Sequence, residues 1–377
     1  MKFLEYGEDF LFDDMPKVYN PTQKVFITRL YGLNQLLLPK RVPKIYTSKA
    51  IAWRMKIHFN TNKEQILTDD NFVYLDPTKN PHILHLSDEK RVKVFVFEEV
   101  SATRNMMVLI QKEGKITHMY GGACVFLRQI LLNDVFVSCI GTGVDKLYMD
   151  LKRALIPCNP NELNDIIDEL DRLLHKSKVI IKIQLLVEPF GSEEFVAELG
   201  NQLRGLVHLN DAFLNYNGHF LCLEHFQMDP EMARIFVEHS SNKEECAKHC
   251  HNSEILVTVK LTMDKRKKDK SKNYFEIHYS PLPSPFNLKV LASAVYPAHI
   301  FGITYGTMEP PTLPEYLRGF CSVPGGARFP KKSRLRPADS AKPLPPEKIS
   351  PNKDTPAHYC IRKQNFEYVD DESNDES

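Results

Sequence analysis

The run Cys-Ala-Lys-His-Cys-His, residues 246–251, sets two thiols one helical turn apart with two imidazoles beside them. Cys222 and His225 lie upstream. Thiolates and imidazoles of this kind are what a zinc site takes. Neither pair has the short spacing of a zinc knuckle, and buried free cysteine is common, so the expectation is no metal. Gly121-Gly122 and the run Gly-Thr-Gly-Val-Asp-Lys, Gly141 to Lys146, invite a phosphate-loop reading. A Walker loop needs more residues between its glycines and a lysine followed by Ser or Thr, so the second run reads as the turn before a helix. No HExxH, GxSxG or kinase signature is present. The expectation is therefore a non-enzyme, with no catalytic residue and no cofactor.

The strongest electrostatic feature is a basic run: Lys265, Arg266, Lys267, Lys268, Lys270 and Lys272, broken by Asp269. Six cations on one loop can follow a phosphate backbone and give salt-dependent binding; a solvated hairpin tip is the plainer fate of such a run. The net charge of the chain is only +1, so any contact with nucleic acid must come from a local patch.

The elements that would position these groups are legible in part. No apolar run is long enough to cross a membrane, and acids interrupt the apolar residues of the first fourteen positions, unlike a leader peptide. Eight scattered cysteines fit a reducing, cytoplasmic compartment. Period-two alternation predicts strands over 51–59, 91–100, 179–187 and 255–263. Helices are expected over 102–110 and 115–122, and again over 192–199 and 200–209. Residues 123–127, 134–141, 212–216 and 233–239 read as strands, and 143–156 and 242–250 as helices. Both stretches then have the order β-α-α-β-β-α. Between them 159–176 is an amphipathic helix with the stripe Leu163, Ile166, Ile167, Leu170 and Leu174. A hairpin carrying the basic loop, a helix over 285–295 and a strand from 299 complete the folded part. Residues 325–377, rich in proline and then in acid, are expected to be disordered. The stretch KPLPPEKISP within them could dock an aromatic groove.

A β-α-α-β-β-α order with a turn between the first two helices resembles the eukaryotic KH domain, in which a Gly-x-x-Gly turn approaches the RNA backbone. Aligned on that turn are Gln111, Lys112, Glu113 and Gly114 in the first stretch, and Ala197, Glu198, Leu199 and Gly200 in the second. The run FVAELGNQLRGL around the second is similar to the Bicaudal-C proteins, tandem KH proteins that control messenger RNAs in germ cells and embryos. Both turns lack their first glycine and carry a glutamate. A carboxylate about 4 Å from a phosphate is opposed by ~1 kcal/mol in water and by more when desolvated. The turns thus read as degenerate.

The resulting expectation is an α+β chain of tandem KH-like repeats. Its divisions are a poorly patterned region 1–88, a first repeat with linker helix 89–177, a second repeat 178–252, a third α/β unit 253–324, and the tail 325–377. The resemblance implies a scaffold or RNA-binding subunit in post-transcriptional regulation. Its partners would be regulatory proteins of mRNA control and single-stranded RNA, with no membrane. The alternative is a protein-interaction adaptor of unrelated α+β fold that binds no nucleic acid.

Overall fold

In the computed structural model the described residues are 10–61, 66–86, 91–125, 127–155, 162–176, 178–239, 245–251, 253–262, 273–303 and 312–322. All belong to one compact unit, Met1–Pro330; a second unit is Lys331–Ser377. The basic run 265–272 and the tail 325–377 lie outside the described residues.

Three sheets form in chain order. Short apolar triplets make β1 (Phe10–Phe12), β2 (Lys24–Phe26), β3 (Ile45–Thr47) and β4 (Phe72–Tyr74), all parallel and in that spatial order. Helix α1 (Lys49–Thr61) links β3 to β4. Next come β5 (His82–His85), β6 (Arg91–Glu98), β7 (Met106–Lys112) and β8 (Lys115–Gly122), an antiparallel meander. Two short helices, α2 (Arg128–Leu131) and α3 (Asp134–Gly141), carry the chain to β9 (Val144–Met149), parallel to β8.

The third sheet follows α4 (Leu163–His175). Its elements are β10 (Ile181–Val187), α5 (Glu193–Gln202), β11 (Val207–Leu209), α6 (Asp211–Asn217), β12 (Ile235–His239), α7 (Glu245–Lys248), β13 (Ile255–Thr262) and β14 (Tyr274–His278). It is wholly parallel, in the order β11-β12-β10-β13-β14. The chain then returns through α8 (Pro285–Val295) and β15 (His299–Gly302), which pairs with β9, and ends in α9 (Glu315–Arg318). Strand pairing therefore crosses the boundaries expected near 88, 177 and 252.

The meander separates two cores by simple alternation. Val94, Val96, Val108, Ile110 and Tyr120 face the first sheet and α1, against Phe12, Phe26 and Met55. Phe95, Phe97, Met107, Leu109 and Met119 face α3 and α8, against Phe136, Leu288 and Leu291. In the third sheet Ile183, Leu185, Val237 and Val259 pack under α4 and α5 through Ile166, Leu170, Phe195 and Leu199.

The described residues are mixed α/β, with two parallel sheets and one mixed sheet. The expected strands within 91–100, 179–187, 233–239 and 255–263, the amphipathic helix, α8 and β15 are present. Several other readings are corrected. Residues 51–59 are helical, with Ile51, Ala52, Met55 and Phe59 buried at helical spacing and Arg54 buried among them. The run from 106 is a strand buried on both faces, so its apolar residues are continuous and mimic a helix. Residues 115–122 are likewise a strand, 134–141 and 211–217 are helices, and 144–149 is a strand. The segment 123–127 is not a strand among its described residues, and 207–209, expected inside a helix, is β11. The first stretch runs β-β-β-α-α-β and the second β-α-β-α-β-α, so their element orders differ. The expected hairpin at the basic run is also corrected, because β13 and β14 are parallel.

Candidate functional site

In open parallel sheets, ligands lie beyond the carboxyl ends of strands where the chain switches direction. The described residues form two such places. One is the end of β8 and β9, where the meander gives way to a parallel crossover. The other is the end of β10, where the chain leaves toward β11 on one side and later crosses from β12 to β13 on the other.

At the first place the strand ends are filled by residues 13 and 28–31. Asp13, in the left-handed region at φ 50°, accepts the Thr28 backbone N–H at 2.7 Å and the Tyr120 hydroxyl at 2.9 Å. Arg29 Nε lies 3.2 Å from Asp13, and its Nη1 donates to Asp150 at 3.1 Å. The Lys152 backbone N–H donates to the other Asp150 oxygen at 3.0 Å. Side-chain exposure is 5% for Arg29, 6% for Asp13 and 0% for Asp150, so this group has no open face. Burial pulls the Arg29 guanidinium down, but Asp13 and Asp150 more than offset it and its pKa is raised. Burial raises Asp150, with Arg29 acting against it, and lifts the Tyr120 phenol well above its ordinary range. The glycine pair beside it is a packing device. A Cβ on Gly121 would meet Leu291 at 3.0 Å, and one on Gly122, at φ 56°, would meet Thr28 Oγ1 at 3.2 Å.

The second place is closed by the same segment. Gly191, just past β10, has φ 100°, and a Cβ there would meet Tyr31 at 2.9 Å and Pro281 at 3.0 Å. The Lys152 ammonium in turn donates to the Tyr31 hydroxyl at 3.3 Å. Where a phosphate would meet the first turn of α5, the chain supplies Glu193 and Glu194. Glu193 Oε2 accepts the Gly191 N–H at 2.7 Å, and Glu194 accepts the Ala102 N–H at 2.8 Å. Glu193 is 1% exposed and its Oε1 is buried without a hydrogen-bond partner.

Burial raises the pKa of Glu193, Glu194, Glu98 and Asp150. For a carboxyl raised in the fold, the native state binds more protons than the unfolded chain between the unfolded and folded pKa values. Stability from these groups therefore falls as pH rises through that window, above the ordinary carboxylate range. Burial lowers the His239 pKa, which acts the other way below the ordinary imidazole range, so the carboxyl contribution is read from a variant. Glu193→Gln keeps an acceptor for the Gly191 N–H, and its thermal midpoint relative to the parent's should rise from pH 5 to pH 7.5; a difference that does not change with pH would refute the assignment.

The turns expected to contact RNA are elsewhere and are not helix–helix turns. Glu113 and Gly114, at φ 51° and 83°, are the two-residue tip of the β7–β8 hairpin between the paired Lys112 and Lys115. Two successive positive φ values are what a type I′ hairpin turn requires. Gln111 closes it, donating to the Gly114 carbonyl at 3.1 Å. Ala197, Glu198, Leu199 and Gly200 lie inside α5. Gly200 is buried, and a Cβ there would fall on the Phe226 ring. Gly200→Ala should therefore destabilise the protein by about 1–3 kcal/mol despite better helix propensity; urea unfolding measures it, and a gain in midpoint would contradict the packing.

The Cys/His run does not converge on a metal. Cys246 is buried, its backbone N–H donating to Glu238. His249 and His251 both face Glu231, at 2.7 and 3.4 Å. Among the described residues there is no group of three or more His, Cys, Asp or Glu placed to hold a metal ion. Gly141 to Lys146 runs from the last residue of α3 through Thr142 and Gly143 into β9, so a helix precedes the turn and a strand follows it, the reverse of the expected order. No described helix is long and apolar enough to cross a membrane. Sequence reasoning missed the Asp13–Arg29–Asp150 group, whose members lie far apart in the chain; isolated charges among apolar residues, as in Ile27-Thr28-Arg29-Leu30, were the available signal.

No family model matches the chain, and no curated protein matches it. Among solved structures it is similar to a protein of unknown function from Enterococcus faecalis V583. The TM-score is 0.51 at 12% identity, over 76% of each chain. At that identity the likeness concerns the fold alone.

Proposed function

We propose that the chain is a non-enzymatic scaffold subunit that works through protein–protein contacts of its surface. The observation that supports this is the filling of both strand-end crevices by the chain itself. Arg29 is matched by Asp13 and Asp150, and the first turn of α5 is served by Glu193 and Glu194. An incoming phosphate would meet carboxylates where a binding site offers amides and cations. Of the two readings open at the sequence level, the adaptor without nucleic acid is the better supported, since neither Gln111–Gly114 nor Ala197–Gly200 is a helix–helix turn.

The test is thermal unfolding of the full chain with a panel of nucleotides and dinucleotides. A ligand at a hundred times its Kd adds about 2.7 kcal/mol to stability, so binding would move the midpoint visibly. No shift is expected, and a shift with any of them would overturn the proposal. An RNA role would rest on Lys265 to Lys272. If the parent binds single-stranded RNA through about four of those cations, Lys267→Ala/Lys268→Ala should make the salt slope shallower by ~1.4. The adaptor reading expects no binding even at low salt.

A further inference from the structure

The connection from α6 to β12, residues 218–234, is far longer than the usual loop of about four to six residues. It consists largely of three 3-10 turns, Gly218–Phe220, Leu223–His225 and Pro230–Met232. Connections of this length in a compact unit are commonly binding loops. Its base is firmly held. Phe226 is 7% exposed and fills the space over Gly200. Gly205 N–H donates to the His225 carbonyl at 3.0 Å, and Gln227 N–H to the Val207 carbonyl at 2.7 Å. Asp229 accepts the Glu231 N–H at 3.0 Å. Glu231 also lies 2.7 Å from His249 and 3.4 Å from His251, which follow β12 in the chain.

On this held base the outward side chains are apolar and acidic. Leu223 is 41% exposed, Met228 67% and Met232 66%. Glu224, Asp229 and Glu231 stand exposed among them, with Arg204 the cation acting on neighbouring Cys222. Single exposed apolar residues are ordinary on any surface. Three of them, and three exposed carboxylates, fall within ten residues of one loop that is pinned at its base. Methionine suits such a surface because its unbranched, polarizable side chain adapts to what it covers. The Gln227–Val207 bond occupies part of the outer edge of β11, which disfavours a strand adding there.

We infer that Leu223, Met228 and Met232, with the carboxylates of Glu224, Asp229 and Glu231, dock a basic amphipathic helix of a partner protein. The apolar stripe of such a helix covers the methionines while its lysines or arginines meet the rim. The inference rests on the scaffold reading above.

The experiment is fluorescence-anisotropy titration of the full chain against two labelled helical peptides, one patterned with leucine and lysine and its counterpart with leucine and glutamate. The leucine–lysine peptide should bind and the other should not. Met228→Ser/Met232→Ser, with its melting unchanged, should weaken binding about tenfold or more. Glu224→Lys should slow association and reduce its salt sensitivity. Three results would overturn the docking surface: no binding of the leucine–lysine peptide at low salt, equal binding of both peptides, or undiminished binding by the folded methionine variant. Any of these with a blank nucleotide panel leaves the scaffold reading standing, whereas nucleotide binding removes the reading on which the surface rests.

Discussion

Arg29→Met should lose about 3–5 kcal/mol of stability, because removing one partner of a buried ion group leaves the others uncompensated. The side chain it replaces is similar in length, so lost packing is a minor part of the effect. What remains is two carboxylates, Asp13 and Asp150, both nearly inaccessible and both previously facing one guanidinium. The loss should be greater at pH 8 than at pH 5. Without Arg29 the raised Asp150 pKa moves further up, so its protonation relieves the native state as pH falls. Neutralising the carboxylates as well, in Asp13→Asn/Arg29→Met/Asp150→Asn, should recover much of the loss. Asparagine tolerates the positive φ at position 13. Urea unfolding at the two pH values measures all three proteins. If the single and triple variants were equally destabilised, the charges would not be the cause, and residues 28–31 would fill the strand ends by packing alone.

The pattern of what was legible follows from how each element is buried. Helix α4 shows one face to a core and one to water, so its stripe reads directly in the sequence. Strand β13 alternates for the same reason. Strands β7 and β8 lie between two cores; the continuous apolar run of β7 lacks the alternation that marks a half-buried strand, and in β8 Thr117, His118 and the glycine pair break it. Helix α1 failed in the opposite way, since Arg54 occupies a core position and left an apparent alternation around it. Helices α3 and α6 are too short for their period to show, yet each has a local signal in its asparagine cap. Asn133 accepts from Val135 and Phe136, and Asn210 accepts from Phe213. Those caps, weighed as helix starts, argue against strands at 134 and 212. The glycines misled because their roles are tertiary. Gly114 serves a hairpin tip and Gly200 gives room to an aromatic ring twenty-six positions later. Neither role is visible in spacing, and the KH alignment was anchored on both.

Arg54 carries the second large effect. Its guanidinium donates to the carbonyls of Ala102 at 2.7 Å, Thr103 at 3.3 Å and Tyr216 at 3.3 Å, and lies 3.8 Å from the centre of the Phe220 ring. One fully buried side chain of α1 thus ties the loop after β6 to the end of α6 and the turn beyond it. Burial pushes its pKa down to about 10, with Glu193 opposing. A base lowered in the fold makes stability rise with pH only between its folded and unfolded pKa values, here above about 10, so the ionisation of Arg54 itself adds no slope across the neutral range. Arg54→Ala should cost about 3–5 kcal/mol at neutral pH and more as pH rises, since it strands buried carbonyls and removes the charge that holds the raised Glu193 pKa down. Arg54→Lys should fall between parent and alanine, because an ammonium keeps the charge but not the planar fork that reaches three carbonyls while covering a ring. Urea midpoints with unchanged slopes measure the series. A lysine variant as stable as the parent would show that charge alone holds this joint. An alanine variant within about 0.5 kcal/mol of the parent, the range of ordinary surface changes, would remove the joint altogether.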